Sequence, residues 1–409
     1  MTATDSKNLA DPEAQTVSAL VDELLRECDP ATVDDVTFRG AQFDKGLAWV
    51  GFPIGEGGVG ARPGLQREVD KRLRAAGAAS TTGRMFFGHF LVAPTLVAHG
   101  STWAKDRFLR KIFTGEDVWC QLFSEPGAGS DLASLACRAE RDGDEWRVNG
   151  QKVWNTLAHL ADFGMLVTRT DPDVPKHKGL TYFAVDMHQP GVEVRPLRQI
   201  TGEAEFNEVY LTDAMIPDSY RIGEVGEGWR VSLTTLANER VSIGGGGSGG
   251  GGPKRGSGSI AEAVRLFKLN DNNSAAKKDQ LMKLWADSEC LRLTNLRASA
   301  AARTGGPGPE GSIAKLALAI NNQKIYDLCI NLLGADGLHD FDYTFRRPEE
   351  LGLEGGEGTA RHMFLRARAN SIEGGTSEIM RNILGERILG LPGEPRVDKE
   401  LPWNKVARS

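Results

Sequence analysis

The chain has 409 residues, 40% of them hydrophobic, with 49 basic side chains against 55 acidic ones and a formal net charge of −6. That length and apolar fraction allow a large buried core spread over two or three domains. No dense Lys/Arg run with interleaved aromatics accompanies the acidic balance, so nucleic-acid binding is not expected and small soluble partners are.

The N-terminal run "MTATDSKNLADPEAQ" has no positive n-region and no apolar h-region, and no uninterrupted apolar stretch approaches membrane-spanning length. Five cysteines, at 28, 120, 137, 290 and 329, form no Cys-x-x-Cys pair. The expectation is a soluble, unexported protein of a reducing cytoplasm, without disulfides. The seven histidines are dispersed and none forms a HExxH-type pair, so no metal site is expected.

From Asp11 to about Val118 the pattern is helical, with Val17, Leu20, Val21, Leu24 and Leu25 at i, i+3, i+4, i+7 spacing. The glycine-rich loop "FPIGEGGVGARPG" interrupts it, and "STWAKDRFLRKIFTGE" reads as a further amphipathic helix. Between Trp119 and Gly228 the texture changes to short β-rich runs, "EWRVNGQKVW", "FGMLVTRT", "GLTYFAVDM", "VEVRPL" and "EVYLTDAMI", divided by Gly, Pro and Asp. "VNG" reads as a hairpin turn, and the segment as an antiparallel sheet or small barrel.

Helical texture returns after Trp229, with "KKDQLMKLWADSECLRLTNLRASAAAR" and "SIAKLALAINNQKIYDLCINLLG" as long helices. The expected domains are 1–118, 119–228 and 229–409, an α+β order of helices, sheet, helices. Inside the last lies "GGGGSGGGGP", Gly244 to Pro253, which cannot stay helical; mobility is expected over 244–256.

Three short runs carry the chemistry. "LFSEPGAGSDLA", Leu122 to Ala133, has glycines that admit close backbone approach and hydroxyls at Ser124 and Ser130 beside a candidate anion nest, although spacing alone favours an ordinary surface turn. It is not the strand-GxGxxG-helix signature of nicotinamide binding. In "NGQKVWNTLA", Trp154 and Thr156 lie two apart on an expected strand and share a face. A flat aromatic with a hydroxyl beside it suits a flavin edge, and equally suits the sheet core. "NSIEGGTSEIMRN", Asn370 to Asn382, sets a glutamate, two glycines and a hydroxyl pair where a turn meets a helix.

Together with "HGSTWAKDRFLRKIFTGE" and "GTSEIMRNILGERILGLP", these runs resemble, in order and spacing, the acyl-CoA dehydrogenase family over about Asp11 to Pro392. The resemblance implies an N-terminal helical domain, a central antiparallel β-domain and a C-terminal four-helix bundle. It also implies bound FAD and α,β-dehydrogenation of an acyl-CoA thioester. It assigns flavin contacts to Gln121, Phe123, Ser124, Gly129, Ser130, Trp154, Asn155, Thr156, Thr376 and Glu378, and substrate contacts to Ser130, Arg240 and Gly375. Gly374 would offer its backbone N–H to the thioester carbonyl.

In many family members the base is the glutamate of a Tyr-Glu-Gly-Thr run. Here Gly374 stands at that place, with Glu373 one residue earlier. A second subgroup carries the base in a Glu-Arg pair on another helix, and "LANERVSIG" supplies Glu239 followed by Arg240. The resemblance therefore points to Glu239 as base with Arg240 as its tuning neighbour, Glu373 being the alternative. A solvated surface pair is the plain reading of the same dipeptide.

The family pattern breaks where one subunit normally reaches a neighbour's FAD with an Arg-Lys-Thr-Phe-Gly-like run. Here "LNDNN", Leu269 to Asn273, lacks the cation, and Asp271 would repel phosphates. A Gln-Ile-Leu-Gly-Gly run survives in part as "NLLGA", Asn331 to Ala335. The expected partners are an unlike acyl-CoA dehydrogenase subunit that completes the FAD site, the acyl-CoA substrate, and an electron-transfer flavoprotein as acceptor. Steroid or fatty-acyl chains are the implied substrates. An oxidase or monooxygenase of the same fold, and a non-catalytic partner subunit, remain open.

Overall fold

The computed structural model describes residues 11–80, 83–242, 254–269, 274–301, 309–339, 344–349, 359–395 and 398–406. The chain falls into two compact units. One comprises residues up to Arg195, Asn207–Thr235 and the stretch from Glu400 on; the other comprises Pro196–Phe206 and Leu236–Lys399.

The first unit opens with helices α1 (Pro12–Glu27), α2 (Asp35–Asp44), α3 (Gln66–Ala75), α4 (Ala93–His99) and α5 (Thr102–Thr114). Asp11 and Asp34 cap the first two by accepting backbone N–H groups that the helices leave unpaired. Val17, Val21 and Leu24 bury the expected stripe of α1 against Phe38, Leu47, Val69 and Leu73. Helix α5 stops at Gly115, whose left-handed backbone (φ 83°) closes the last turn.

The sheet has seven strands: β1 (Trp119–Leu122), β2 (Arg138–Asp142), β3 (Glu145–Lys152), β4 (Phe163–Arg169), β5 (Leu180–Asp186), β6 (Val192–Pro196) and β7 (Asn207–Pro217). They run β1-β4-β2-β3-β7-β6, with β5 on the other side of β4. Most pairings are antiparallel as expected, but β1 pairs parallel with β4, and β2 meets β4 in one parallel step at Arg138 and Arg169. Strands β4 and β5 are buried almost end to end, so they read as unbroken apolar runs. Strand β3 alternates instead, with Trp146 and Val148 inward.

The hairpin expected at "VNG" lies elsewhere. The β2–β3 turn is Gly143-Asp144, with Gly143 at φ 63°, and Val148 to Gly150 lie inside β3 at a bulge opposite β7. Asn149 there exchanges two hydrogen bonds of 2.9 Å with Asp213, which is itself left-handed at φ 50°. The side-chain amide thus plays the part of a strand partner, which is why Asn-Gly need not turn the chain here.

In the second unit, helices α7 (Ser259–Leu269), α8 (Ala275–Ala301), α9 (Glu310–Leu333) and α10 (Ala360–Arg366) enclose a core of Ile260, Leu281, Leu284, Ile325, Leu328 and Leu332. This is the expected bundle. Helix α6 (Gly228–Val241) precedes it and α11 (Ser377–Asn382) follows. The Gly244–Pro253 run, Asn270–Asn273 of "LNDNN" and the Arg240 side chain lie outside the described residues. Among the described residues no helix is long and apolar enough to cross a membrane.

Helix α6 starts hard against β5: a Cβ added at Gly228 would meet the Thr181 backbone at 2.7 Å. Substituting Gly228→Ala should therefore push the helix off the strand and lower stability by about 1–3 kcal/mol, seen as a lower urea midpoint with an unchanged slope.

Candidate active site

In the first unit the chemistry-bearing runs are built on strands β1 and β3. Strand β1 ends in the loop from Phe123 to Leu135. At its base the buried Lys152 donates from Nζ to Glu125 Oε1 at 2.8 Å and to the Phe123 carbonyl at 3.1 Å. The Glu125 carboxylate in turn accepts the backbone N–H groups of Ala136 (2.7 Å) and Cys137 (2.9 Å). A buried ion pair survives when its remaining hydrogen-bonding capacity is filled in this way. Beyond it, Gly127, Gly129 and Ser130 are exposed, and a Cβ at either glycine would meet nothing within 4 Å. The crest of the loop is open for a ligand to approach its backbone.

Trp154 and Thr156 follow β3 rather than lying on it, which corrects the expected strand placement. The strand ends at Lys152, and Trp154 takes a left-handed backbone, φ 62°, that a bulky residue adopts only when its neighbours impose it. The neighbours are well tied. Val153 N–H donates to the Ser124 carbonyl at 2.9 Å, Asn155 N–H to the Asn207 carbonyl at 3.0 Å, and Asn155 Nδ2 to the Gln121 carbonyl at 2.8 Å. The indole is left 57% exposed, a large apolar plane displayed beside the loop rather than packed in the sheet. Asn155 Oδ1 is buried with no hydrogen-bond partner among the described residues. Phe123 enters the core against Tyr182, so only its backbone faces the loop.

In the second unit, Asn370 to Thr376 form a tight turn with Gly374 at φ 60° and Gly375 at φ 94°, and Thr376 caps α11 by accepting the Ile379 N–H. Both oxygens of Glu373 are engaged. Oε1 accepts from Asn370 Nδ2 at 2.8 Å and from Arg366 Nη1 at 3.2 Å, and Oε2 lies 3.0 Å from Arg366 Nη2. Arg366 also reaches Glu205 at 3.3 Å. The paired carboxylates outweigh burial and hold its guanidinium charged, while burial pushes the Glu205 carboxyl above its usual range. Glu378 pairs with Arg381 at the surface.

The ends of this turn are stapled by Lys315 of α9, whose buried ammonium donates to the carbonyls of Gly375 (2.5 Å) and Asn370 (2.8 Å). Burial lowers the Lys315 pKa, and the charges of Glu373, Glu239 and Glu378 act against that shift. Glu239, half-buried near the end of α6, is thus within electrostatic reach of Lys315.

Residues 120–214 match the acyl-CoA dehydrogenase middle domain and residues 226–389 the C-terminal domain of that family. The acyl-CoA dehydrogenase IpdE1 of Mycobacterium tuberculosis is 37% identical over 86% of this chain and 86% of its own. The chain belongs to the acyl-CoA dehydrogenase family. It is accordingly an oxidoreductase of a flavoprotein family. A second relative, the acyl-CoA dehydrogenase FadE34 of the same organism, is 39% identical over 82% of this chain, but the match spans only 43% of FadE34's length. Among solved structures, the ChsE4-ChsE5 complex from M. tuberculosis aligns with TM-score 0.67 and 26% identity over 96% of this chain and 99% of the other.

Set against the family, the residues present in the first unit fit a flavin: an exposed indole, an open glycine-rich loop and an orphaned buried amide oxygen. Sequence reasoning missed Lys152, Glu125, Arg366 and Lys315. Two of these stand in quoted motifs, "SEPG" and "GQKV", where a charge next to apolar residues was the available signal; Lys315, in "SIAKLALA", gives the same signal inside a buried helix.

Glu205 supplies a pH test. A folded pKa above the unfolded one means that ionisation costs stability, so that contribution is intact at low pH and is lost as pH rises from the unfolded value near 4.5 through the raised folded value. The variant Glu205→Gln should thus gain on the wild type as pH rises from about 4 to 7, the two curves meeting at the acid end of a urea-denaturation series.

Proposed function

We propose that this chain carries out FAD-dependent α,β-dehydrogenation of an acyl-CoA thioester from lipid or steroid side-chain degradation, with Glu239 as the base. The observation that carries the assignment of the base is the engagement of Glu373. A carboxylate whose two oxygens are both taken up by a guanidinium and an amide is committed to holding the turn and is not free to swing over a substrate carbon. Glu239 and Glu378 are the other carboxylates whose charges act on Lys315, and Glu378 is paired with Arg381 at the surface.

The chemistry sets clear demands. A proton α to a thioester leaves only if the charge developing on the carbonyl oxygen is met by donors, and a partly desolvated carboxylate takes it most readily. The Gly374 N–H, in a turn whose left-handed glycines and Lys315 staple fix its direction, is the donor proposed from this chain. Arg240 is the neighbour proposed to tune the base. FAD, when bound, supplies the acceptor for the hydride leaving Cβ. On this reading Gln121, Phe123, Ser124, Gly129, Ser130, Trp154, Asn155 and Thr156 hold it from the first unit. Thr376 and Glu378 are assigned to the flavin by the same family resemblance. Ser130 and Gly375 also contact the acyl-CoA.

The heteromer belongs to the same proposal. "LNDNN" offers no cation to a neighbour's diphosphate, so a second, unlike subunit would provide it. The solved ChsE4-ChsE5 assembly, itself a complex of two differently named chains, supports that reading. An electron-transfer flavoprotein is the proposed acceptor, and the reading takes the enzyme to be cytoplasmic.

The test is substrate-driven bleaching of the flavin absorbance under anaerobic conditions. Glu239→Gln should slow bleaching by about 10²–10⁴-fold, whereas Glu373→Gln should bleach within about tenfold of wild type. Slow bleaching confined to the Glu373 variant would move the base to that residue. FAD per chain, titrated with and without the unlike subunit, checks the heteromer: full occupancy of the chain alone would overturn it.

A further inference from the structure

The stretch Leu401–Val406 belongs to the first unit, although it is far in sequence from the loop it touches. Trp403 N–H donates to the Val174 carbonyl at 2.9 Å and Asn404 N–H to the Pro172 carbonyl at 3.0 Å; Asn404 Nδ2 reaches Asp173 Oδ1 at 2.6 Å. The Trp403 ring is buried. Its Nε1–H donates to the Ser134 carbonyl at 3.1 Å, and its face lies 4.6 Å from the Arg169 guanidinium.

Arg169 spends its donors on backbone. It reaches the carbonyls of Ala133 (2.5 Å), Leu135 (3.3 Å) and Lys176 (2.8 Å). Lys176 in turn holds Asp131 at 2.9 Å, and Ser134 Oγ donates to the same Asp131 oxygen at 2.5 Å. The trailing end of the loop that carries Gly127, Gly129 and Ser130 is therefore fixed through Arg169 by the indole above it. The leading end is fixed separately by Lys152 and Glu125.

We infer that Trp403 is a positioning residue for the loop Pro126–Leu135, keeping its open crest in the conformation that grips the flavin. The inference rests on the reading of that loop as a flavin contact. Its physical basis is the crest itself, in which two glycines make no side-chain contacts that could order it. Order must come from the loop's two ends, and a preordered loop loses less freedom when a ligand binds. Cation–π contact and one hydrogen bond to the Ser134 carbonyl are what Trp403 adds at the trailing end.

The experiment uses the full chain in its assembled holoenzyme, with Trp403→Ala and Trp403→Phe. Hydrogen exchange of peptides covering residues 126–136 reads the loop directly, and the rate of FAD release, followed by flavin fluorescence, reads its consequence. Trp403→Ala should speed both by about tenfold, while Trp403→Phe, which keeps a ring over Arg169, should recover most of the loss. Wild-type exchange in Trp403→Ala overturns the inference, as does faster exchange with unchanged FAD release. A wild-type assembly that takes up no FAD defeats the flavin reading itself; faster exchange in that case leaves the clamp on the loop standing.

Discussion

The buried contact between Lys152 and Glu125 is the constraint on which the side of the first unit that carries Trp154 and the glycine-rich loop depends. Lys152 is fully buried at the end of β3, and Glu125 is all but buried after β1. Neither charge could stay there alone, because removing one partner of a buried pair costs about 3–5 kcal/mol. Together they fix three things at once: the Phe123 carbonyl, the Ala136-Cys137 backbone, and the end of the strand from which Trp154 departs. The left-handed Trp154 follows, since its two neighbours are bonded to the Ser124 and Asn207 carbonyls and leave it one way to turn.

The second unit applies the same physics to a different end. Arg366 is shared between Glu205 and Glu373, so a glutamate in the middle of a catalytic-looking motif is committed to holding Asn370 and the turn in place. Position relative to a family pattern and chemical availability are thus separate questions. The offset of Glu373 by one residue raises the first; its hydrogen bonds answer the second, and direct attention to Glu239.

The three-part order of helices, sheet and helices was legible because its periods differ: 3.6-residue apolar spacing in α1 and α5, alternation in β3, and unbroken apolar runs in β4 and β5. The parallel pairing of β1 with β4 was not, because strand direction depends on which segments meet in space, and single strands carry no mark of it. "VNG" misled because an Asn-Gly pair signals a turn only if the asparagine is not used elsewhere, and Asn149 is bonded to Asp213 sixty-four residues on. Trp154 was legible as a candidate and misplaced as a strand residue, since the bonds that terminate β3 come from Gln121, Ser124 and Asn207. Lys152, Arg169 and Lys315 were present in the quoted runs but gave no hint of their acceptors, which are mainly backbone carbonyls and have no residue identity to read.

That last feature connects the two halves of the proposed chemistry. Lys152, Arg169 and Lys315 each lie buried and donate to carbonyls of the loops at issue: Phe123; Ala133, Leu135 and Lys176; Asn370 and Gly375. A cation that consumes carbonyls leaves the opposite face of a turn richer in N–H groups and, except at Lys152, whose charge Glu125 balances, it adds positive potential behind that face, poorly screened by water. A ligand with a diphosphate, or an oxygen that gains negative charge as a proton departs, is stabilised by such a surface, and a neutral ligand much less so. The same residues that order the loops therefore bias them toward anionic ligands, so a mutation chosen to loosen a loop also weakens its field. Replacing lysine by methionine removes both at once, whereas Trp403 acts on the loop through Arg169 and leaves every cation in place; it is the position at which order can be separated from charge.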